Sequence, residues 1–79
     1  MLKLININKN GTYIEANYIP ESSEELGYIK LDIENREIIE AVPTSYDKTF
    51  KIYQGHARRA LIKLAGNDVL PERYPVAWY

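Results

Sequence analysis

The chain has no cysteine, which removes disulfide staples, thiolate nucleophiles and cysteine-based zinc sites together. Glycine is sparse: Gly11, Gly27, Gly55 and Gly66 are scattered and form no phosphate-cradling loop. No stretch approaches the ~20 apolar residues that a membrane helix needs. The first residues, MLKLININKNG, hold no long apolar run and no small-residue cleavage site, so no signal peptide is expected. These absences lead us to expect a soluble, cytoplasmic protein with no membrane partner and no cofactor. A dominant charge is lacking too. Ten Lys and Arg against eleven Asp and Glu leave a formal charge of −1, which provides no global pull toward nucleic acid.

Hydrophobic residues make up 46% of the 79. That is too apolar for a disordered tail, and the length suits a single domain over residues 1–79. The charges are segregated. Residues 1–47 hold nine acids against Lys3, Lys9, Lys30 and Arg36, whereas residues 48–66 hold Lys48, Lys51, Arg58, Arg59 and Lys63 with no acid. A split of this kind concerns partners or internal pairing more than chemistry.

Leu2 to Asn8 and Thr12 to Ile19 read as two strands joined by Asn10-Gly11, a dipeptide suited to a two-residue hairpin turn. With Lys9 opposite Thr12, Ile7 faces Ile14, Ile5 faces Ala16 and Lys3 faces Tyr18, so pattern and turn agree on a buried face. Pro20 to Glu25 is an acidic loop. A third strand spans Tyr28 to Ile33, and a turn at Glu34-Asn35-Arg36 leads to a fourth, Glu37 to Val42. Ile38 and Ile39 are adjacent there, which a bulge would reconcile. Thr44 to Asp47 reads as a helix start with a hydroxyl cap followed by an acid. Tyr46, Phe50, Tyr53, Ala57, Ala60, Leu61 and Leu64 then recur at helical spacing as one stripe, and Gly66-Asn67 ends the helix. The tail, with Pro71 and Pro75, has no helical period and is apolar enough to lie extended against the body. The expected fold is α+β: a four-stranded antiparallel sheet of two hairpins packed on one C-terminal helix, with an extended aromatic tail.

Catalytic constellations are not apparent. His56, the one histidine, has Ile52, Tyr53, Arg59, Ala60 and Lys63 as helical neighbours, of which two are cations and none is a good metal ligand. Asp47 lies nearly opposite on the helical wheel, and Ser45 is too far round to be activated. Glu24-Glu25 and Asp68 with Glu72 are acid pairs of the kind that loops and tails simply expose to water. The expectation is a protein that is not an enzyme and holds no metal.

A partner surface is the stronger reading. Gly55 falls inside the helix, where glycine costs ~1 kcal/mol relative to alanine. It lies on the outer side between Ile52, Arg59 and Ile62, with Arg58 adjacent, as a shallow apolar notch rimmed by arginines. Such a notch suits a protein partner or a second copy of the chain. A plainer reading is that Gly55 breaks the segment into two short helices. Trp78 and Tyr79 are a second candidate contact, either completing the core or forming an aromatic hook. The alternative function is nucleic-acid binding, with Lys51, Arg58, Arg59 and Lys63 on phosphates. The overall acidity and the lack of a basic-aromatic strand signature count against it.

Overall fold

The computed structural model describes residues 1–21, 23–47 and 52–77. Its elements are β1 (Leu2–Asn10), β2 (Tyr13–Pro20), β3 (Gly27–Asp32), β4 (Glu37–Val42), a 3-10 turn (Ser45–Asp47), α1 (Ile52–Leu64) and β5 (Arg73–Val76). The class is α+β with an antiparallel sheet and one helix, as the patterning predicts. The sheet has five strands rather than four, in the order β4-β3-β2-β1-β5. The added strand comes from the tail, where Leu2 faces Val76 and Ile5 faces Arg73. Proline is tolerated on an edge strand, where the missing N–H interrupts no ladder.

The first hairpin turns one residue later than the sequence pattern suggests. Asn10 faces Tyr13, Lys9 faces Ile14 and Asn8 faces Glu15, so Gly11-Thr12 is the loop. Gly11 has φ +60°, at the first central position, where a type II′ turn needs glycine. The expected pairs Lys9–Thr12, Ile7–Ile14, Ile5–Ala16 and Lys3–Tyr18 therefore do not form. Between Ile5↔Asn17 and Asn8↔Glu15 the ladder shifts, leaving Asn6 and Ile7 against Ala16 alone. Asn6 adopts φ 54°, a left-handed conformation that asparagine tolerates better than most residues. This bulge decides which side chains reach the core. Leu2 and Leu4 are buried, Ile7 packs beside them, and Ile5 turns to the other face. It also aims Lys9 at the helix side, where its Nζ donates to the Ala65 carbonyl at 3.0 Å. A cation there satisfies an orphan carbonyl at the negative end of α1.

In the second hairpin Lys30 faces Glu40 and Leu31 faces Ile38, so Ile39 is the extra residue of the expected bulge. The connecting turn is held by the Asp32 carboxylate, which accepts from the Glu34 and Asn35 amides and from Asn35 Nδ2. These donors, the Asn35 side chain first, hold Asp32 below its ordinary pKa.

The helix expected over 48–66 is described as α1 from Ile52 and ends at Leu64, two residues early; residues 48–51, Phe50 among them, lie outside the described residues. It runs unbroken through Gly55, so the two-helix reading does not hold. Ala57, Ala60, Leu61 and Leu64 are buried as the stripe predicts, over Ile14, Ala16, Tyr18, Ile29 and Leu31 of β2 and β3. Tyr46 departs from the stripe: it lies exposed ahead of α1, with its ring edge-on to Tyr53 at 6.0 Å. Gln54, which the stripe does not include, is buried. The expected helix start contains a 3-10 turn, Ser45–Asp47.

Tyr18 and Gly27 face each other across β2 and β3, and a Cβ on Gly27 would sit inside the Tyr18 ring. The backbone of β3 has to be bare there for the ring to lie flat in the core. Gly27→Ala should therefore destabilise the fold by about 2–3 kcal/mol, the upper part of the overpacking range. Urea unfolding would measure it, and a loss below half a unit of that scale would mean the ring has room to move.

Candidate functional site

Three places carry chemistry: the joint between sheet and helix, the outer side of α1, and the faces and edges of the sheet. The joint is built on Asp47. Its Oδ2 accepts from the Tyr18 hydroxyl at 2.7 Å, the Thr44 hydroxyl at 3.0 Å and the Thr44 amide at 3.3 Å. Its Oδ1 accepts from the Gln54 amide at 3.0 Å, one of the unsatisfied first-turn donors of α1. The residue is 1% exposed. Burial pushes its pKa up, but the Tyr18 hydroxyl, the Gln54 amide and the Thr44 hydroxyl and amide together hold it below the ordinary carboxylate value. Tyr18 moves the opposite way, raised by its own burial and then by the anion it bonds. Both carboxylate oxygens are engaged, and what they engage is the fold.

On α1 the structure separates the residues proposed from the sequence. Ile52 is 48% exposed, and Gly55 is exposed with no atom of the described residues within 4 Å of where a Cβ would stand. Arg59 is exposed beside them. Arg58 is half-buried and turned toward the β3–β4 turn, where its guanidinium donates to the Arg36 carbonyl at 2.7 Å. Ile62 packs against the core, lining a small cavity of about 200 Å³ with Leu31, Ile33 and Arg36. The notch thus has one exposed isoleucine, not two. Trp78 and Tyr79 lie outside the described residues.

The basic residues do not form one face. Arg58 goes to the β4 side, while Arg59 and Lys63 line a groove of about 360 Å³ on the β5 side with His56, Ala60 and Tyr74. Lys51 lies outside the described residues. His56 is held below its ordinary pKa by burial first, then by Arg59 and the N-terminal amino group. Among the described residues no group of three or more His, Asp or Glu is placed to hold a metal ion. Nor, among the described residues, is any helix long and apolar enough to cross a membrane.

The sheet face away from α1 is occupied by cross-strand pairs. Lys30 Nζ lies 4.0 Å over the Tyr13 ring. The Tyr28 hydroxyl donates to Glu15 at 2.8 Å, and burial followed by that bond pushes the phenol up to about 12. Asn6 donates to Asn17, which donates to the Gly27 carbonyl. The two tyrosines are thereby engaged within the sheet instead of standing free as stacking platforms.

Sequence reasoning missed the Asp47 joint and the β4 edge. A signal for the first existed. Tyr18 shares the buried face of β2 with Ile14 and Ala16, and a buried tyrosine hydroxyl needs a partner. Asp47→Ala should cost about 3 kcal/mol, because it removes a helix cap and strands the Tyr18 hydroxyl. The pH dependence has a definite sign. With the folded pKa depressed, the Asp47 contribution is complete above the unfolded value of about 4 and is lost as pH falls through the lower folded value. Chemical unfolding across that acid range should show a shallower decline in Asp47→Asn than in the native chain.

Comparison with models of protein families gives no match, and neither curated proteins nor solved structures yield one.

Proposed function

We propose that the protein is a non-enzymatic protein-binding module whose docking surface is the outer side of α1 around Gly55. The observation that supports this reading is the emptiness around that glycine. A helix-interior glycine is unfavourable relative to alanine, and its usual internal justifications are missing here. Its φ is not in the left-handed region, and no atom of the described residues would touch a Cβ. A bare backbone at this point serves something that approaches from outside. Ile52 supplies exposed apolar surface next to it, and Arg59 supplies a side chain of the type that dominates interface energies. Arg58, bonded to the Arg36 carbonyl, is already ordered and would lose little freedom on docking.

Phosphate binding through Arg58, Arg59 and Lys63 is the weaker reading, because these bases diverge to opposite flanks of α1. A nucleic-acid backbone needs cations along one track.

Two variants at one position test the reading. Gly55→Ala should raise the unfolding free energy by about 0.5–1 kcal/mol, since the new methyl meets nothing and the helix gains propensity. Gly55→Leu should fold as well but weaken any contact made there. Thermal unfolding gives the first result. An amide-resolved NMR dilution series, followed by a short mixed-sequence duplex, gives the second. If Gly55→Ala destabilises the chain, the glycine serves the fold and the docking surface is lost as an idea.

A further inference from the structure

The two edges of the sheet are built differently. β5 is four residues long and includes Pro75, which has no N–H to offer a further strand. β4 is six residues long, contains neither proline nor lysine, and among the described residues no strand pairs with its outer edge. Ile38, Ile39 and Val42 on β4 are 38%, 57% and 54% exposed. Among the described residues α1 packs chiefly over β2 and β3.

Its acids also lack an ion-pair partner among the described residues. Register places Lys30 directly opposite Glu40, the natural position for an ion pair, yet the Lys30 ammonium lies over the Tyr13 ring on the other side. Glu37 stands opposite Asp32, a second acid. Among the described residues neither Glu37 nor Glu40 forms an ion pair. Glu37, Glu40 and Val42 pair with Asp32, Lys30 and Tyr28, so they share the sheet face away from α1, whereas Ile38 faces the α1 side with Leu31.

We infer that β4 is a docking edge for an extended segment of another protein that alternates basic with aliphatic residues and adds as a sixth strand. Main-chain hydrogen bonds along the edge supply the attraction. Glu37 and Glu40 receive Lys or Arg on one face, and Ile38 receives an aliphatic side chain on the other. The bulge at Ile39 interrupts the edge, which disfavours long, flat self-pairing and leaves Glu40 to Val42 as the continuous run. A second copy is the poorer occupant, because β4 against β4 gathers four glutamates around one two-fold axis. This surface and its chemistry are separate from those of α1 around Gly55.

The test uses a short synthetic peptide alternating lysine and valine, titrated into the labelled full chain. We expect saturable amide shifts and slowed amide exchange confined to Glu37–Val42. Glu37→Lys together with Glu40→Lys should weaken binding about tenfold and should create binding to a peptide alternating glutamate and valine. Equal binding of a same-composition peptide with its lysines clustered would reduce the effect to bulk charge and overturn the inference. Shifts that follow protein concentration alone would put a second copy on the edge and overturn it too. Shifts at Ile52, Gly55 and Arg59 without any at β4 would sink it while supporting the α1 surface, and no binding at all would sink it outright.

Discussion

The position of α1 depends on one buried carboxylate. Asp47 gathers donors from β2, from the segment after β4, and from the first turn of α1. A helix of thirteen residues is marginal in water by itself, and its small core residues, Ala57 and Ala60, bury less area than leucines would. The joint supplies direction that packing of small side chains does not. Burying an anion is costly unless its lone pairs are filled. Here they are filled by neutral donors, aided by the positive end of the helix. Among the described residues the groups that bond it are neutral dipoles. That arrangement also accounts for Gly27, since Tyr18 reaches Asp47 only by lying flat across a bare stretch of β3.

Much of the architecture was legible because its signals are local. The strands from Tyr13 and Gly27, the bulge at Ile38-Ile39 and the stripe Ala57, Ala60, Leu61, Leu64 all follow from periodicity and breakers. The first strand was misread for an instructive reason. Its apolar positions are Leu2 and Leu4, then Ile5 and Ile7, a change of parity that marks a bulge as surely as adjacent isoleucines do in β4. The perfect alternation of Ile5-Asn6-Ile7-Asn8 conceals it, since that run extends to a plausible turn at Asn10-Gly11. Only the pairing of Leu4 with Tyr18 shows which parity governs the core. The fifth strand was hidden by Pro71 and Pro75, which read as loop, although Tyr74 and Val76 carry the period of two.

The candidate surfaces were legible to a lesser degree. A helical wheel gives angles, and it placed Ile52, Gly55 and Arg59 on the outer side, where they are. It does not say how far the sheet reaches round the helix. Ile62 is drawn into packing, and Arg58 is tethered to a carbonyl of a turn whose position no wheel contains. The open edge at β4 depends on strand order. That order follows from β5 joining β1, which is a tertiary fact.

The segregation of acids and bases seen along the chain is not cancelled by folding. Lys9 and Arg58 are spent on backbone carbonyls, and Lys30 on an aromatic ring. The Met1 amino group and Glu21 approach to 3.8 Å at the exposed surface, a pair worth little in water. Lys9, Arg58 and Lys30 are thus held by partners that are not acids. Glu37 and Glu40 stand at the β4 edge with no ion pair among the described residues, while Arg59 and Lys63 line the groove on the β5 side of α1. A folded domain with a net charge near zero can therefore present two local fields of opposite sign. Association is steered by such local fields more than by the net charge, so the two proposed surfaces would select different partners, which a pI of about 5.8 does not foretell.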